Sequence, residues 1–324
     1  MPSTITHAYF GEDLFNKIPK ESKNIITNEK KSLMMFSQSM DSLMFYNIYN
    51  LFPGKKIRNL SSTFHNNKTD DFFSNLITYM KKNEYYKDPK TLSFLYGLIS
   101  HFSLDSTTHP FVFYKTGVYD NKNKETVKYN GMHTYMENYI DNYFLTTRNK
   151  SKDINISNFC FDLTKFSKEL NDSIDYSFQI TFNIDNMSKK YYISLKQMKN
   201  FITLFRFDKY GIKKLGYTFI DKIKPKNTFQ FKSISYDLDD YENYDFLNIN
   251  KSTWYFPVDK NIYSNKNFLE LYDDALTKAT FIINEINDYF FKDKKINIKK
   301  LFNNESYVTG INCLSKKKQK FFEF

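Results

Sequence analysis

The sequence contains few of the residues that mark several common protein classes. Its two cysteines, Cys160 and Cys313, are too few for a disulfide framework and lack the spacing of a metal-binding pair. No stretch approaches the roughly 18 consecutive apolar residues of a membrane span, and the N-terminus lacks the basic start and apolar segment of a signal peptide. We therefore expect a soluble, cytoplasmic protein whose core forms without disulfides.

Arginine is also scarce. The net charge of +11 comes almost entirely from lysine, because the chain has only Arg58, Arg148 and Arg206. Bidentate recognition of phosphate prefers the planar guanidinium of arginine. A dedicated nucleic-acid motif is therefore not predicted, despite the positive charge.

Three of the five histidines of the chain lie four residues from a carboxylate, which is helical spacing. His101, Asp105 and His109 follow one another in steps of four, so on a helix they share one face. His133 and Glu137 repeat the same step. Imidazole and carboxylate are the ligands of catalytic zinc sites, so two such helices are candidates for a metal centre.

The other candidate ligands carry little information when they are taken singly. His7 and His65 each stand alone, and a lone histidine is more often structural than a ligand. Asp41 lies in an apolar stretch where a buried carboxylate needs a cation, hydrogen bonds or water, although an exposed acid on an amphipathic helix is the alternative.

Taken in order, these residues resemble the ligand series of the zinc-dependent phospholipases C, the family of the secreted Bacillus and clostridial lecithinases. The resemblance is strongest to leaderless bacterial relatives that open with a similar Thr-His segment. It continues at residues 244–248, 254–257, 268–272 and 306–310 and is weak from about 150 to 240. The series in this sequence is His7, Asp41, His65, His101, Asp105, His109, His133 and Glu137.

The resemblance implies an all-α fold, a multi-helix bundle with a metal cluster in its core, that binds two or three Zn²⁺ ions. It assigns one ion to Asp41, His65, His101 and Asp105, and a second to His109, His133 and Glu137. His7 and Asp105 would share a third, which in the secreted enzymes a terminal amine helps to complete. The Pro2 amine, exposed by removal of Met1, is the candidate here. Asp41 is also a candidate general base.

The implied activity is phosphodiester hydrolysis, in which a metal-activated water cleaves a glycerophospholipid to diacylglycerol and a phosphorylated headgroup. The expected partner is therefore a phospholipid or another phosphodiester. A zinc-dependent single-strand nuclease and a non-catalytic, metal-stabilised binding protein are the alternatives. The lysines and phenylalanines of residues 315–322 suggest peripheral membrane contact, although a solvated tail is favoured. The oligomeric state is left open.

We expect one domain over residues 1–324, with a metal-ligand core (1–145), a less regular connection (146–262) and C-terminal helices (263–324). The N-terminal residues predict a short surface helix. Asp88 and Pro89 predict the start of a helix that ends at His109 before Pro110, and Gly97 is expected to leave room at the site. The second metal helix spans 133–144, where Asp141 is expected to orient a ligand histidine.

Further elements are predicted outside the site. Residues 72–82 and 195–207 show helical spacing, 177–183 alternate like a strand, and 222–262 predict an ordered but irregular connection. His65 is placed at a helix start. A capping box at Asn267 and Glu270 begins a helix that runs to about residue 291.

Overall fold

The helix Pro89–Thr116, which we call α6, runs through the middle of the protein and is buried along nearly its whole length. The computed structural model describes residues 4–49, 53–149, 156–206, 208, 210–235, 244–315 and 317–323. Helices α1, α3, α7, α9 and α12 all contact α6. The α-helices in chain order are α1 Thr4–Lys17, α2 Lys20–Ile25, α3 Lys30–Phe36, α4 Lys55–Asn66, α5 Thr69–Lys82, α6, α7 Met132–Asn149, α8 Ile156–Cys160, α9 Lys168–Phe182, α10 Met187–Phe201, α11 Ile212–Ile223, α12 Phe268–Phe291 and α13 Ile298–Phe302.

Short helical turns and one hairpin connect these helices. The predicted all-α bundle is confirmed, because among the described residues the only sheet is an antiparallel pair, β1 Trp254–Phe256 and β2 Asp259–Ser264, with Trp254 opposite Ser264. The 3₁₀ segments are Ser39–Phe45, Tyr85–Lys87, Lys124–Tyr129 and Phe231–Ile234, and a π-helical turn spans Ile202–Arg206.

Helix α6 begins as predicted but does not end at His109. The Asp88 carboxylate caps it by accepting the Thr91 N–H at 2.8 Å. The helix then continues through Pro110 to Thr116. Proline has no N–H for the Ser106 carbonyl, and Gly310 packs closely there: a Cβ on Gly310 would lie 2.7 Å from Ser106 O. The expected end was wrong: the helix continues through Pro110, and Gly310 packs against the Ser106 carbonyl that proline cannot bond.

Helix α12 packs along α6 and closes the core. Its predicted capping box is present: Asn267 accepts the Glu270 N–H at 2.9 Å, and Glu270 accepts the Asn267 N–H at 2.9 Å. Its apolar face, including Ile282 and Ile286, is buried. In the part of the chain that the structure describes, no helix is both long enough and apolar enough to cross a bilayer.

Three further expectations about local structure were wrong. The N-terminal segment is not a short surface helix, since most of α1 is buried. His65 lies at the end of α4 rather than at a helix start. Residues 177–182 continue α9, because the buried side chains Ile174, Ser177 and Phe178 recur at helical spacing.

The region from 222 to 262 contains more regular secondary structure than the irregular connection that was expected. Its described residues include the end of α11, the turn Phe231–Ile234 and the hairpin, while residues 236–243 lie outside the described residues. The C-terminal tail is not simply solvated. The N–H groups of Lys320 and Phe321 donate to Pro257 O at 2.7 and 3.1 Å, which anchors the tail along the hairpin. The helical prediction for 195–206 is confirmed; residue 207 is not described.

Candidate metal centre

All eight predicted site residues come together where five segments meet. The segments are α1, the 3₁₀ turn Ser39–Phe45, α4, α6 and α7. The long helix α6 contributes three of the side chains from one face, as the spacing of four residues predicts. The eight residues, in the order of these segments, are His7, Asp41, His65, His101, Asp105, His109, His133 and Glu137.

The first group of donors is buried and surrounds one point. The Nε2 of His101 lies 3.0 Å from Asp105 Oδ2 and 3.5 Å from Asp41 Oδ2. The Nε2 of His65 lies 3.4 Å from Asp41 Oδ1 and 3.1 Å from His101 Nε2. On the other side of Asp105, its Oδ1 lies 3.2 Å from His7 Nε2. Asp105 is therefore the carboxylate that His7 and His101 share.

The second group lies nearer to solvent. The Nε2 of His133 lies 3.0 Å from Glu137 Oε1, and His109 Nε2 lies 3.6 Å from the same oxygen. The Phe113 ring stacks on His133 with 4.6 Å between centroids. The two groups are adjacent, because His109 Nδ1 also lies 3.7 Å from Asp105 Oδ2.

Backbone carbonyls fix the protonation of three of these rings. A carbonyl only accepts, so a ring nitrogen within hydrogen-bond distance of one must carry the proton. His65 Nδ1 donates to Ser61 O at 2.7 Å, and His101 Nδ1 donates to Ser37 O at 3.0 Å. His109 Nδ1 donates to Tyr307 O at 2.8 Å. In the neutral form of each ring, Nε2 then carries the lone pair and is free of a proton, as a metal ligand must be.

This arrangement fits a bound cation. Two Nε2 lone pairs facing each other across 3.1 Å, beside carboxylates, repel unless positive charge lies between them. Two further imidazole nitrogens, His7 Nδ1 and His133 Nδ1, are buried without a hydrogen-bond partner among the described residues. Imidazole with carboxylate is a donor set that zinc accepts. The residues of the two groups therefore fit zinc.

Burial and neighbouring charges act in opposite directions on the pKa values of the histidines. Burial lowers the pKa of His65 and of His133. Burial also disfavours charged His101, but the carboxylates of Asp105 and Asp41 outweigh it and raise its pKa. In the same way, Asp105 and Glu137 raise the pKa of His109 to about 9.

The carboxylates of the site are held in their charged form. Burial would raise the pKa of Asp105, but the neighbouring imidazoles, His101 foremost, hold it well below its usual range. The pKa of Glu137 is lowered against burial by His133 and His109. Both carboxylates are thus available as anionic ligands at neutral pH.

Two positions support the site differently from what was expected. Asp141 was expected to orient a histidine ring, but it accepts the N–H groups of Ile5 and Thr6 at 3.2 and 2.8 Å. These bonds anchor the start of α1, the helix that carries His7. Gly97 makes room for Phe36 and not for the site: a Cβ there would lie 2.5 Å from Phe36 Cβ. It lets α3 approach α6 closely.

An open cleft of about 400 Å³ reaches both donor groups. It exposes parts of six predicted ligands, including Asp41 and His133, to the outside. Its walls combine apolar and polar side chains. These wall residues are Met44, Arg58, Asn59, Ser61, Ser62, Asn66, Phe113 and Val308.

Sequence reasoning missed the backbone groups that orient the rings. The carbonyls of Ser37, Ser61 and Tyr307 hold three imidazoles, but a carbonyl is common to every residue and leaves no signal in the sequence. The segment 306–310 resembles the family without containing a candidate ligand, and this was the one sequence feature that pointed to a role for Tyr307 at the site. The predicted Pro2 amine lies outside the described residues.

Comparison with known proteins gives one match. A family model described as zinc dependent phospholipase C matches residues 6–202, a span that contains all eight candidate ligands. No curated protein and no solved structure matches this chain. The matched span covers more than half of the sequence and coincides with the donor groups described above. The chain belongs to the zinc-dependent phospholipase C family.

Proposed function

We propose that this protein hydrolyses the phosphodiester bond of glycerophospholipids and releases diacylglycerol and a phosphorylated headgroup. The observation that carries this proposal is the position of the donor groups at an open cleft. A structural zinc site is closed by four protein ligands, whereas a catalytic site keeps a position for water or substrate. Here His109 and His133 remain partly accessible, with side-chain exposures of 14% and 23%.

We assign the proposed ligands to separate ions as the family resemblance implies. Asp41, His65, His101 and Asp105 would hold one ion, and His109, His133 and Glu137 a second. His7 would hold a third together with Asp105, to which its Nε2 is close. Two or three Zn²⁺ ions are therefore proposed. Zinc bound there would acidify a water molecule and stabilise negative charge on the phosphoryl oxygens.

Groups of the chain itself orient the imidazoles and offer a candidate acceptor for the proton of the attacking water. The carbonyls of Ser61, Ser37 and Tyr307 hold the imidazoles in the tautomer that directs Nε2 inward. Asp41 lines the cleft, and Ser61 Oγ donates to its Oδ1 at 3.4 Å. We assign it a ligand role and retain it as the candidate general base, because it is a carboxylate at the boundary between the donors and the cleft.

The cleft walls suit an amphiphilic diester better than a nucleic-acid strand. Among the described lining residues Phe113 is the aromatic one, and its ring already stacks on His133. A single-strand nuclease uses free aromatic faces on which bases stack. The nuclease alternative thus lacks a stacking surface in the described cleft. The non-catalytic alternative requires closed sites, which the cleft does not provide.

We also propose that the chain functions as a single domain. Tyr307 lies outside the span of the family model, yet its carbonyl accepts from His109 and its N–H donates to His65 O at 3.0 Å. The C-terminal segment therefore holds ligands from both donor groups. A cytoplasmic location stays a prediction from the sequence.

Metal content and substrate class can be tested together. The purified chain is analysed for metals by mass spectrometry and assayed with phosphatidylcholine vesicles and with single-stranded DNA. Two or three zinc ions per chain with release of diacylglycerol support the proposal. Zinc with cleavage of DNA alone transfers the assignment to a nuclease, and zinc without turnover of either favours a binding protein. Less than one zinc after reconstitution contradicts the metal centre.

A further inference from the structure

Helix α11, Ile212–Ile223, presents a row of large apolar side chains to the outside. Ile212, Leu215, Phe219 and Ile223 are 69%, 73%, 66% and 70% exposed. Their spacing of three, four and four residues places them on one face of the helix; we call this row the α11 stripe. Single exposed apolar residues are ordinary, but four in helical register mark an interaction surface.

The polar side of α11 holds the helix to the protein. Asp221 accepts the N–H groups of Phe231 and Lys232 at 2.9 and 2.7 Å. Tyr217 Oη donates to Phe205 O at 2.9 Å. At the start of the helix, Asp208 accepts the Lys214 N–H at 2.8 Å. These contacts fix the orientation of the helix, so the α11 stripe remains on its outer face.

The charges along the helix identify the partner. It contains three lysines, Lys213, Lys214 and Lys222, and a single acid, Asp221. That acid accepts two backbone N–H groups and lies 3.1 Å from Lys224 Nζ, so its charge is engaged. An apolar stripe bordered by lysines is the pattern of a helix that lies in the interface of an anionic membrane. A second copy would bring the lysine borders and the +11 charges of two chains together, which disfavours self-association.

The helix is also connected to the candidate metal centre. The turn Phe231–Ile234, on which α11 packs, contacts α7 through the hydrogen bond that Asn138 Nδ2 donates to Ser233 O. A Cβ on Gly131, the residue before α7, would lie 3.0 Å from Gln230 Cβ. Helix α7 carries His133 and Glu137. The turn Phe231–Ile234 therefore links α11 to α7, the helix that supplies two proposed ligands.

We propose that α11 is a membrane-docking helix whose stripe inserts into the interface of a bilayer rich in anionic phospholipid. Because Lys213 Nζ donates to Leu204 O at 2.7 Å, the exposed Lys222 is the lysine of this helix that contacts the headgroups. The inference that docking brings the enzyme to its substrate rests on the proposed function, but docking itself is measured without catalysis. The helix lies outside residues 6–202, so the family match does not contain it.

Flotation with vesicles tests the binding step. The full chain with zinc is mixed with vesicles of phosphatidylcholine alone or of equimolar phosphatidylcholine and phosphatidylglycerol. We expect the wild type to bind the anionic vesicles, and the double variant Leu215→Ser/Phe219→Ser to bind them at least roughly tenfold less tightly. The control Ile180→Ser/Phe281→Ser removes two exposed apolar side chains, each 58% exposed, from α9 and α12 and should bind like the wild type.

Three results would overturn the proposal. The first is that the wild type does not bind the anionic vesicles, and the second is that the stripe variant binds them as tightly as the wild type. The third is that the wild type is a dimer in size-exclusion chromatography, the stripe variant is a monomer, and neither binds vesicles. Activity assays separate this outcome from failure of the proposed function. The stripe variant should retain hydrolysis of a monomeric short-chain phosphatidylcholine and lose activity on anionic vesicles through KM. Vesicle binding that depends on the stripe, without hydrolysis of either lipid, supports docking and contradicts the phospholipase.

Discussion

The Nε2 atoms of His65 and His101 lie 3.1 Å apart, while each ring donates its Nδ1 proton to a backbone carbonyl on its far side. When both rings are neutral, their Nε2 lone pairs therefore point at each other. The Asp41 carboxylate lies within 3.5 Å of both Nε2 atoms and adds negative charge. The contact therefore needs positive charge between the two Nε2 atoms, which a metal ion supplies or, in its absence, a proton on His101, whose pKa the carboxylates raise.

Removal of zinc should therefore destabilise the whole fold. We expect excess chelator to lower the midpoint of thermal unfolding by roughly 5 °C or more, since a metal that binds only the folded state stabilises it by mass action. Adding zinc should restore the midpoint, whereas magnesium, which prefers oxygen ligands, should not. Calorimetry of the metal-free and reconstituted protein makes the comparison. An unchanged midpoint in protein verified to be zinc-free would contradict this prediction.

Replacement of a ligand histidine should remove metal and activity together. In His101→Ala the first donor group loses an imidazole, so we expect fewer zinc ions per chain and a fall in lipid hydrolysis of roughly a hundredfold or more. His133→Ala should do the same for the second group. Ser103→Ala, a buried change on the same helix as His101, is the matched control and should keep both. A His101 variant with full metal content would remove that residue from the site.

The Asp141 carboxylate should stabilise the start of α1 mainly through the hydrogen bonds that it accepts. Asp141→Ala loses the contacts to Ile5 and Thr6 and should cost about 2 kcal/mol. Asp141→Asn keeps an acceptor and should cost less. Urea denaturation of each variant in the presence of chelator measures the difference.

The same residue should make stability depend on pH in a definite direction. Burial raises the pKa of Asp141 above 3.8, so the folded state holds its proton more tightly than the unfolded state. Its contribution is then fully present below pH 3.8 and decreases as the pH rises through the folded-state pKa. The stability advantage of the wild type over Asp141→Asn should therefore be larger at pH 4 than at pH 7. An advantage that grows with pH would show that the folded-state pKa is lowered.

Two glycines should respond oppositely to the same substitution. A Cβ at Gly97 would lie 2.5 Å from Phe36 Cβ and 2.7 Å from the Phe36 carbonyl carbon, so Gly97→Ala should destabilise by about 1–3 kcal/mol. At Gly216 nothing lies within 4 Å, and Gly216→Ala in α11 should stabilise its helix by roughly 0.5–1 kcal/mol. Chemical denaturation of both variants gives the two values. Equal effects would contradict the close approach of α3 to α6.

The donor side chains could be predicted because their chemistry is visible in the sequence. His101, Asp105 and His109 are unusual residues at a spacing that only a helix brings to one face. The same holds for Asp88 and for the capping box at Asn267, whose side chains act on the backbone a few residues away. Such local relationships do not depend on the rest of the fold.

The remaining features depend on residues that are distant in the sequence. Gly310, 200 residues further along the chain, packs against Pro110 inside its helix, and Gly97 is needed because Phe36 lies opposite. The lysine-rich tail was expected to be solvated. Its backbone N–H groups instead donate to Pro257 O, an acceptor that the tail sequence does not indicate. The α11 stripe was detectable from its spacing, but a periodic apolar row normally predicts burial, and only the structure shows that it is exposed.

The hydrogen bond from His109 to Tyr307 also gives the metal centre an order of assembly. Synthesis proceeds from the N-terminus, and Tyr307 follows His109 by 198 residues. The first donor group is oriented by Ser37 and Ser61, which the ribosome has already added when His101 is made. A nascent chain can therefore orient His65 and His101 early, whereas His109 waits for a carbonyl that does not yet exist. The two donor groups should acquire their metal at different times in the life of one polypeptide.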